Sequence, residues 1–361
     1  MLRSPPRYSD PELPALDDAD RRLVEALMRD GRASGRKLSM ETGLSEANVS
    51  RRLTRLLEEQ TVRVRCFTPP EYLGLGCQAC LFLRSAQPVS EVAAALRRHP
   101  HVSWIVSAFG VYDLVSYCCA SCPAELLSMV DDTLARCPGI RAVSLAPMLE
   151  FHTPRFHVKA QPERRLGHGG MHKSLDQTDL VIIRALQQEG RLSYADLAQR
   201  TGISATSAAD RFRRLTSEGI VDIVTIVDPP RLGMNLSGAM LIAAHGPLRP
   251  IMQELSKIPQ LALFTVLAGE FPAYAAFNCR DSQDLAVVRA AVLAVPGVRD
   301  IQPLVFGTLF HESFEWGTHE VADRLRKPES GAAPAAHDGI DGGSNGHTGV
   351  TPPAPPTAPG P

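Results

Sequence analysis

Nowhere in the 361 residues do eighteen apolar residues run together, so a membrane-spanning helix is excluded on length. The opening ten residues, with Pro5, Pro6 and two arginines, lack the apolar core of a secretion signal. Charge of one sign is also missing. The net charge is −1 and the isoelectric point lies near 6.8, so any nucleic-acid contact must come from local basic patches. Catalytic signatures are absent too: no P-loop, no dinucleotide fingerprint and no nucleophile–base pair. The His311-Glu312 stretch lacks the second histidine of a zinc-protease helix. These absences leave a cytoplasmic protein, not an enzyme, with no cofactor and no membrane partner. Its eight cysteines are expected to be mostly reduced. Its length suffices for two or more domains with cores of their own.

What is present is organised around Ser34 to Glu59. Leu38 lies on a short helix that stops at Thr42-Gly43, where glycine supplies the positive φ of a tight turn. Leu44 follows as a core plug. Ser45 is placed to cap the next helix by accepting a backbone N–H. Val49, Leu53, Leu56 and Leu57 then recur at helical spacing and form one apolar stripe. Ser45, Asn48, Ser50, Arg51, Arg52 and Arg55 remain for the other faces. Short polar groups followed by arginines suit a helix that reads base edges and grips phosphates. An ordinary amphipathic helix with a solvated charged face would show the same pattern, so one copy decides little.

A second copy decides more. Residues 16–74 match residues 175–233 without a gap at a constant offset of 159 (175 − 16), and 20 of those 59 positions are identical. The shared set includes Gly43/Gly202, Ser45/Ser204, Arg52/Arg211 and Arg55/Arg214. A repeat of this kind defines the architecture. The second candidate reading face comprises Ser204, Thr206, Ser207, Arg211, Arg213 and Arg214. It departs from the first at Asp210, which stands where Arg51 does, and an acid beside phosphates repels them.

Each three-helix unit ends in an alternating segment, Val62–Phe67 and 220–227, read as a strand that serves as a wing or linker. Next comes a strand–helix–strand–strand–helix–strand order, twice over. In the first copy the strands are 77–83, 102–107, 111–118 and 143–151, and the helices 89–99 and 124–137. In the second the strands are 239–244, 261–266, 273–278 and 301–310, and the helices 248–258 and 282–295. This is the ferredoxin-like unit, whose uncovered sheet face requires a partner. The fold class is therefore α+β: two tandem copies of a winged helix-turn-helix followed by a ferredoxin-like βαββαβ domain. The expected boundaries are a disordered start (1–14), helix-turn-helix domains at 15–74 and 174–233, and ferredoxin-like domains at 75–151 and 234–318. A linker (152–173) joins the copies, and a low-complexity tail (319–361) follows. His152, His157, His168 and His172 in the linker lack ligand spacing and read as surface residues.

The segments Gly31–Ser34, Leu38–Leu56, Phe109–Leu114 and Leu134–Val143 resemble the Lrp/AsnC family, the leucine-responsive or feast–famine regulators. The resemblance covers about 16–316 in two copies, where members usually carry one. It implies pairing through the ferredoxin-like domains, further self-association and binding to double-stranded DNA. It also implies modulation by an amino acid or related small molecule. By resemblance the ligand-binding residues are Gly110, Tyr112 and Asp113. In the second copy Pro272 replaces Asp113, so the effector site is expected in the first copy alone. The rival to a DNA-binding regulator is a ligand-sensing or interaction protein whose reading helices have decayed, the second especially. Finally, Cys77-x-x-Cys80 and Cys119-x-x-Cys122 fall on neighbouring strands and could build a thiol or zinc cluster. Small buried residues are the plainer reading, and no metal is expected.

Overall fold

The computed structural model describes residues 16–152, 164–165 and 175–316. The expected N-terminal segment, the tail and nearly all of the linker, with His157, His168 and His172, lie outside the described residues.

The first copy opens with α1 (Asp18–Arg29), α2 (Gly35–Thr42) and α3 (Glu46–Glu58). Each start is capped as its sequence requires: Asp17 accepts from the Asp20 N–H, Ser34 from Lys37, and Ser45 from Asn48. Gly43, at φ +72°, ends α2 in a conformation that side-chain-bearing residues rarely adopt. The apolar stripes of the three helices meet around Leu23, Leu27, Leu38, Val49 and Leu56, all buried. Each such burial stabilises the unit by roughly 1.5–3 kcal/mol. Strand β1 (Val62–Phe67) and a single 3₁₀ turn (Pro70–Leu73) lead into the ferredoxin-like unit. That unit comprises β2 (Cys77–Ser85), α4 (Val89–Leu96), β3 (Val102–Phe109), β4 (Leu114–Ala120), α5 (Pro123–Arg136) and β5 (Ile140–His152).

A two-residue strand, β6 (Arg164–Arg165), pairs with β5. The second copy then repeats the series: α6 (Gln177–Gln188), α7 (Tyr194–Thr201), α8 (Ala205–Ser217) and β7 (Asp222–Val227). After it come β8 (Leu236–Ala244), α9 (Leu248–Leu255), β9 (Leu261–Leu267), β10 (Ala273–Cys279), α10 (Ser282–Leu293) and β11 (Val298–Glu312). Leu175 and Leu180 are buried on either side of the Asp176 cap, where a capping box with Asp179 forms.

The two ferredoxin-like sheets join edge to edge. β3 pairs antiparallel with β11, β5 pairs with β9, and β2–β5 pairing closes the circuit. Eight strands therefore run in the ring β2-β4-β3-β11-β8-β10-β9-β5. The inner face is filled by both copies: Phe82, Val106, Val115 and Met148 from the first, Leu241, Leu267, Tyr274 and Phe306 from the second. Helices α4 and α5 cover the outer face of the first unit, and α9 and α10 that of the second. The two copies thus form a pseudo-dimer within one chain.

The strands after the helix-turn-helix units also cross between copies. β1 pairs with β7, Val62 opposite Val227 and Phe67 opposite Asp222. The expected wing is thus half of a two-stranded ribbon that joins the two reading domains. Gly31 and Gly190 pack against this ribbon. A Cβ at Gly31 would meet Ile223 Cγ2 at 2.9 Å, and one at Gly190 the Arg65 backbone N at 3.0 Å. Arg32 donates to the carbonyls of Gly190 (2.7 Å) and Leu192 (2.8 Å), while Arg191 donates to those of Gly31 and Ala33. The second reading domain is also anchored to the body. Its core runs on into Phe67, Leu73, Leu75 and Trp316, whose indole Nε1–H donates to the Thr68 carbonyl at 2.8 Å.

Candidate nucleic-acid interface and ligand turn

Helix α3 shows its polar residues on the side away from the Val49–Leu56 stripe. Ser45 and Ser50 are exposed, Asn48 is half-buried and Arg51 is exposed. Among the described residues Arg51 meets no carboxylate at ion-pair distance. Its guanidinium donates to Asn48 Oδ1 at 3.1 Å. Exposed Arg36, one helix earlier, is likewise without an ion pair among the described residues.

The other two arginines of the expected reading face are held elsewhere. Arg52 Nη1 lies 2.8 Å from both Asp17 and Asp20, and Arg55 donates to Asp20, whose carboxylate is buried. The second copy repeats the arrangement. Arg211 pairs with Asp176 (2.7 Å) and Asp179 (2.8 Å), and Arg214 with Asp179 (2.6 Å), a fully buried carboxylate. These pairs clip the third helix of each unit to the first. The Asp20 N–H and the Arg52 guanidinium hold Asp17 below the usual carboxylate range, and Asp17 and Asp20 in turn raise Arg52. Four of the twenty identical positions, Asp17/Asp176, Asp20/Asp179, Arg52/Arg211 and Arg55/Arg214, therefore have a structural reason to be shared. Sequence reading gave Asp17 and Asp176 as helix caps but missed the acids as partners of the arginines; their recurrence beside recurring arginines was the available signal.

The second face is the more neutralised. Arg213 pairs with Asp210 at 2.8 Å, so Arg211, Arg213 and Arg214 all have carboxylate partners. Ser204 is spent as the α8 cap, accepting from Ser207 N–H, while the side chains of Thr206 and Ser207 remain exposed. Ala195 and Asp196 replace Arg36 and Lys37, although exposed Arg200 stands where the first copy has Glu41.

The ligand turn has a different outcome. Residues 110–113 form the connection itself, so β4 begins at Leu114 rather than at Val111. Gly110 is exposed at φ +149°, and a Cβ there would lie 2.5 Å from the Pro303 carbonyl oxygen of the second copy. Asp113 Oδ2 accepts the Ser85 N–H at 2.8 Å, and its own N–H donates to the Leu83 carbonyl. Half-buried Tyr112 packs on Phe82 with ring centroids 5.2 Å apart. Close packing against β11 and a tie to the end of β2 thus account for Gly110 and Asp113. In the second copy Gly269, at φ +152°, faces open space.

The cysteine motifs are split by the pleat of their strands. Cys77 packs on the helix-covered face and Cys80 on the inner face, since residues three apart on a strand point oppositely. Cys119 is buried beside the second reading domain, and Cys122 opens α5. Burial pushes the Cys80 thiol up to about 12. Among the described residues no three His, Cys, Asp or Glu side chains are grouped to hold a metal ion. No described helix is long and apolar enough to cross a membrane.

Two helix-turn-helix heads on a shared ribbon, carried by paired ferredoxin-like units, define a tandem duplication of one helix-turn-helix and ferredoxin-like unit. The AsnC-type helix-turn-helix domain matches residues 16–57, and a winged helix-turn-helix DNA-binding domain matches residues 175–222. The HTH-type transcriptional regulator FL11 of Pyrococcus abyssi is 29% identical over 140 residues, 38% of this chain and 92% of that protein. The glutamate uptake regulatory protein of Zymomonas mobilis is 30% identical over 105 residues, 28% of this chain and 64% of its own length. Over the whole architecture, the siroheme decarboxylase NirDL superposes with a TM-score of 0.57 at 12% identity, covering 86% of this chain and all of that one. At that identity the likeness concerns the fold. The chain thus carries two helix-turn-helix domains in tandem, the first of the AsnC type, and is similar to Lrp/AsnC-type regulators.

Proposed function

We propose that the protein is a sequence-specific regulator of transcription that binds double-stranded DNA chiefly through α3, with the second unit as a weaker contact and an anchor. The observation that carries this reading is the contrast between the two third helices. Arg51 stands exposed without a carboxylate beside Asn48, whereas Asp210 occupies its place in α8 and neutralises Arg213. Cations free of internal partners release counterions from DNA, and neutralised ones do not. Modulation by an amino acid or related small molecule belongs to the proposal through the family, one relative being a glutamate uptake regulator. Self-association beyond the pseudo-dimer belongs to it on the same footing.

A second reading is catalysis, because the fold is shared with a siroheme decarboxylase. The matches to DNA-binding helix-turn-helix domains and the sequence likeness to transcriptional regulators support the regulator reading over it. The test is selection of bound duplexes from a random pool by the full-length protein, with and without amino acids, at several salt concentrations. Enrichment of a motif with steep salt dependence is expected. No enrichment, together with turnover of an iron tetrapyrrole, would move the protein to the enzymatic reading.

A further inference from the structure

We infer that Asn48 and Arg51 together recognise guanine, because Asn48 is fixed as a hydrogen-bond donor with its acceptor already occupied. This deepens the DNA-reading proposal and rests on it.

An asparagine in the major groove ordinarily selects adenine, accepting from the exocyclic amine while donating to N7. That pairing needs a free side-chain oxygen. Here Asn48 Oδ1 accepts two N–H groups, from Arg51 Nη2 at 3.1 Å and from Arg52 Nε at 3.1 Å. A carboxamide oxygen has two lone pairs, so its accepting capacity is used. Arg52 is itself immobilised by Asp17 and by the buried Asp20, which makes its grip on Asn48 part of the helix clip. What Asn48 retains for DNA is its Nδ2 amine, and Arg51 adds further donors alongside. Two adjacent donors match the two acceptors of guanine, N7 and O6, and leave the adenine amine unsatisfied.

The second copy cannot repeat this. Ser207 stands at the place of Asn48 and Asp210 at that of Arg51. Arg211 is clipped as Arg52 is, yet the residue it would orient is gone. The preference therefore belongs to the first reading head, and it is set at a distance by Asp17 and Asp20.

The test uses duplexes selected by the full-length protein, rescreened with Asn48→Ala and Asn48→Ser. Circular dichroism and thermal melting report whether both variants fold. Each should lose discrimination at one guanine of the motif by roughly 5- to 150-fold. Placing 7-deazaguanine at that position should weaken the wild type and leave Asn48→Ala unaffected. An Asn48-dependent position occupied by adenine, or base preferences untouched by both variants, would overturn the inference while leaving DNA reading intact. Failure of the wild type to select any sequence would instead remove the DNA-reading proposal and this inference with it.

Discussion

Arg32 and Arg191 are exchanged across the junction of the two copies, each guanidinium donating to two backbone carbonyls in the loop that carries the other. Arg32 also lies over the Tyr194 and Phe212 rings, at 5.3 and 4.8 Å. Burial comes first in lowering Arg191 from its usual range, with repulsion from Arg32 second. Arg32→Ala should destabilise the protein by about 2–3 kcal/mol, since charged hydrogen bonds and ring stacking are lost together. Arg191→Ala should cost less. Denaturant unfolding of the two variants ranks them, and the reverse order would mean that the stacking contributes nothing.

Replacing the buried acids of the clips should cost stability. Asp20→Ala and Asp179→Ala each remove the buried carboxylate that two arginines share, leaving Arg52 only Asp17 and Arg211 only Asp176, at an expected cost of about 1–3 kcal/mol after allowance for the exposure of the guanidiniums. The neighbouring Asp17 has a depressed folded pKa. Its contribution is therefore present above the unfolded value and is lost as pH falls through the folded one. Acid softening of the first reading domain should begin below about pH 4, and Asp17→Asn should flatten it. Thermal melts from pH 7 to pH 3 check both effects.

On DNA, Arg51→Ala should weaken binding to the selected motif by about 1–3 kcal/mol and relax discrimination at its guanine. Arg213→Ala should change affinity less than twofold, because Asp210 already engages the guanidinium. Equal losses in a salt titration would refute the unequal roles of α3 and α8.

Arg63 joins the first ribbon strand to the body through Asp228 (3.1 Å) and Glu312 (2.6 Å). Burial raises the Asp228 carboxyl in spite of Arg63. A raised acid favours folding below its unfolded pKa and loses that advantage as pH rises through the folded value. Relative to Asp228→Asn, the wild type should thus lose stability between about pH 4 and neutrality. A stability gap that does not change with pH would show that the pair with Arg63 fully offsets desolvation, and a wild type that gains stability with rising pH would show that the pair outweighs it.

At the ligand turn, Asp113→Ala should lower stability by about 1–2 kcal/mol through loss of the bond from Ser85 N–H, while Asp113→Asn should retain most of it. An amino-acid response abolished in Asp113→Asn at unchanged melting temperature would support a ligand role for the carboxylate.

Much of this was legible in the chain. Period-3.6 and period-2 patterns located the elements, and the offset of 159 fixed the duplication, because local chemistry such as the Ser45 cap and the Gly43 turn acts within a few residues. The uncovered sheet faces called for a partner, and the ring of strands supplies it. Three relationships depended on distance instead. The pairing of β1 with β7 links residues about 160 apart, so the strand after α3 could be seen but not its partner. Arg52 and Arg55 resembled DNA contacts because Asp17 and Asp20 lie 35 residues earlier, on a helix read separately. Asp113 looked free because nothing local marks the Ser85 N–H that binds it, 28 residues back.

The ring of eight strands has one more consequence. Two separate polypeptides meeting along β3–β11 and β5–β9 would obey mass action, and dilution would pull them apart. In this chain the same edges meet intramolecularly, so the fraction paired does not depend on how many molecules are present. A protein held at very low copy number still has both heads assembled.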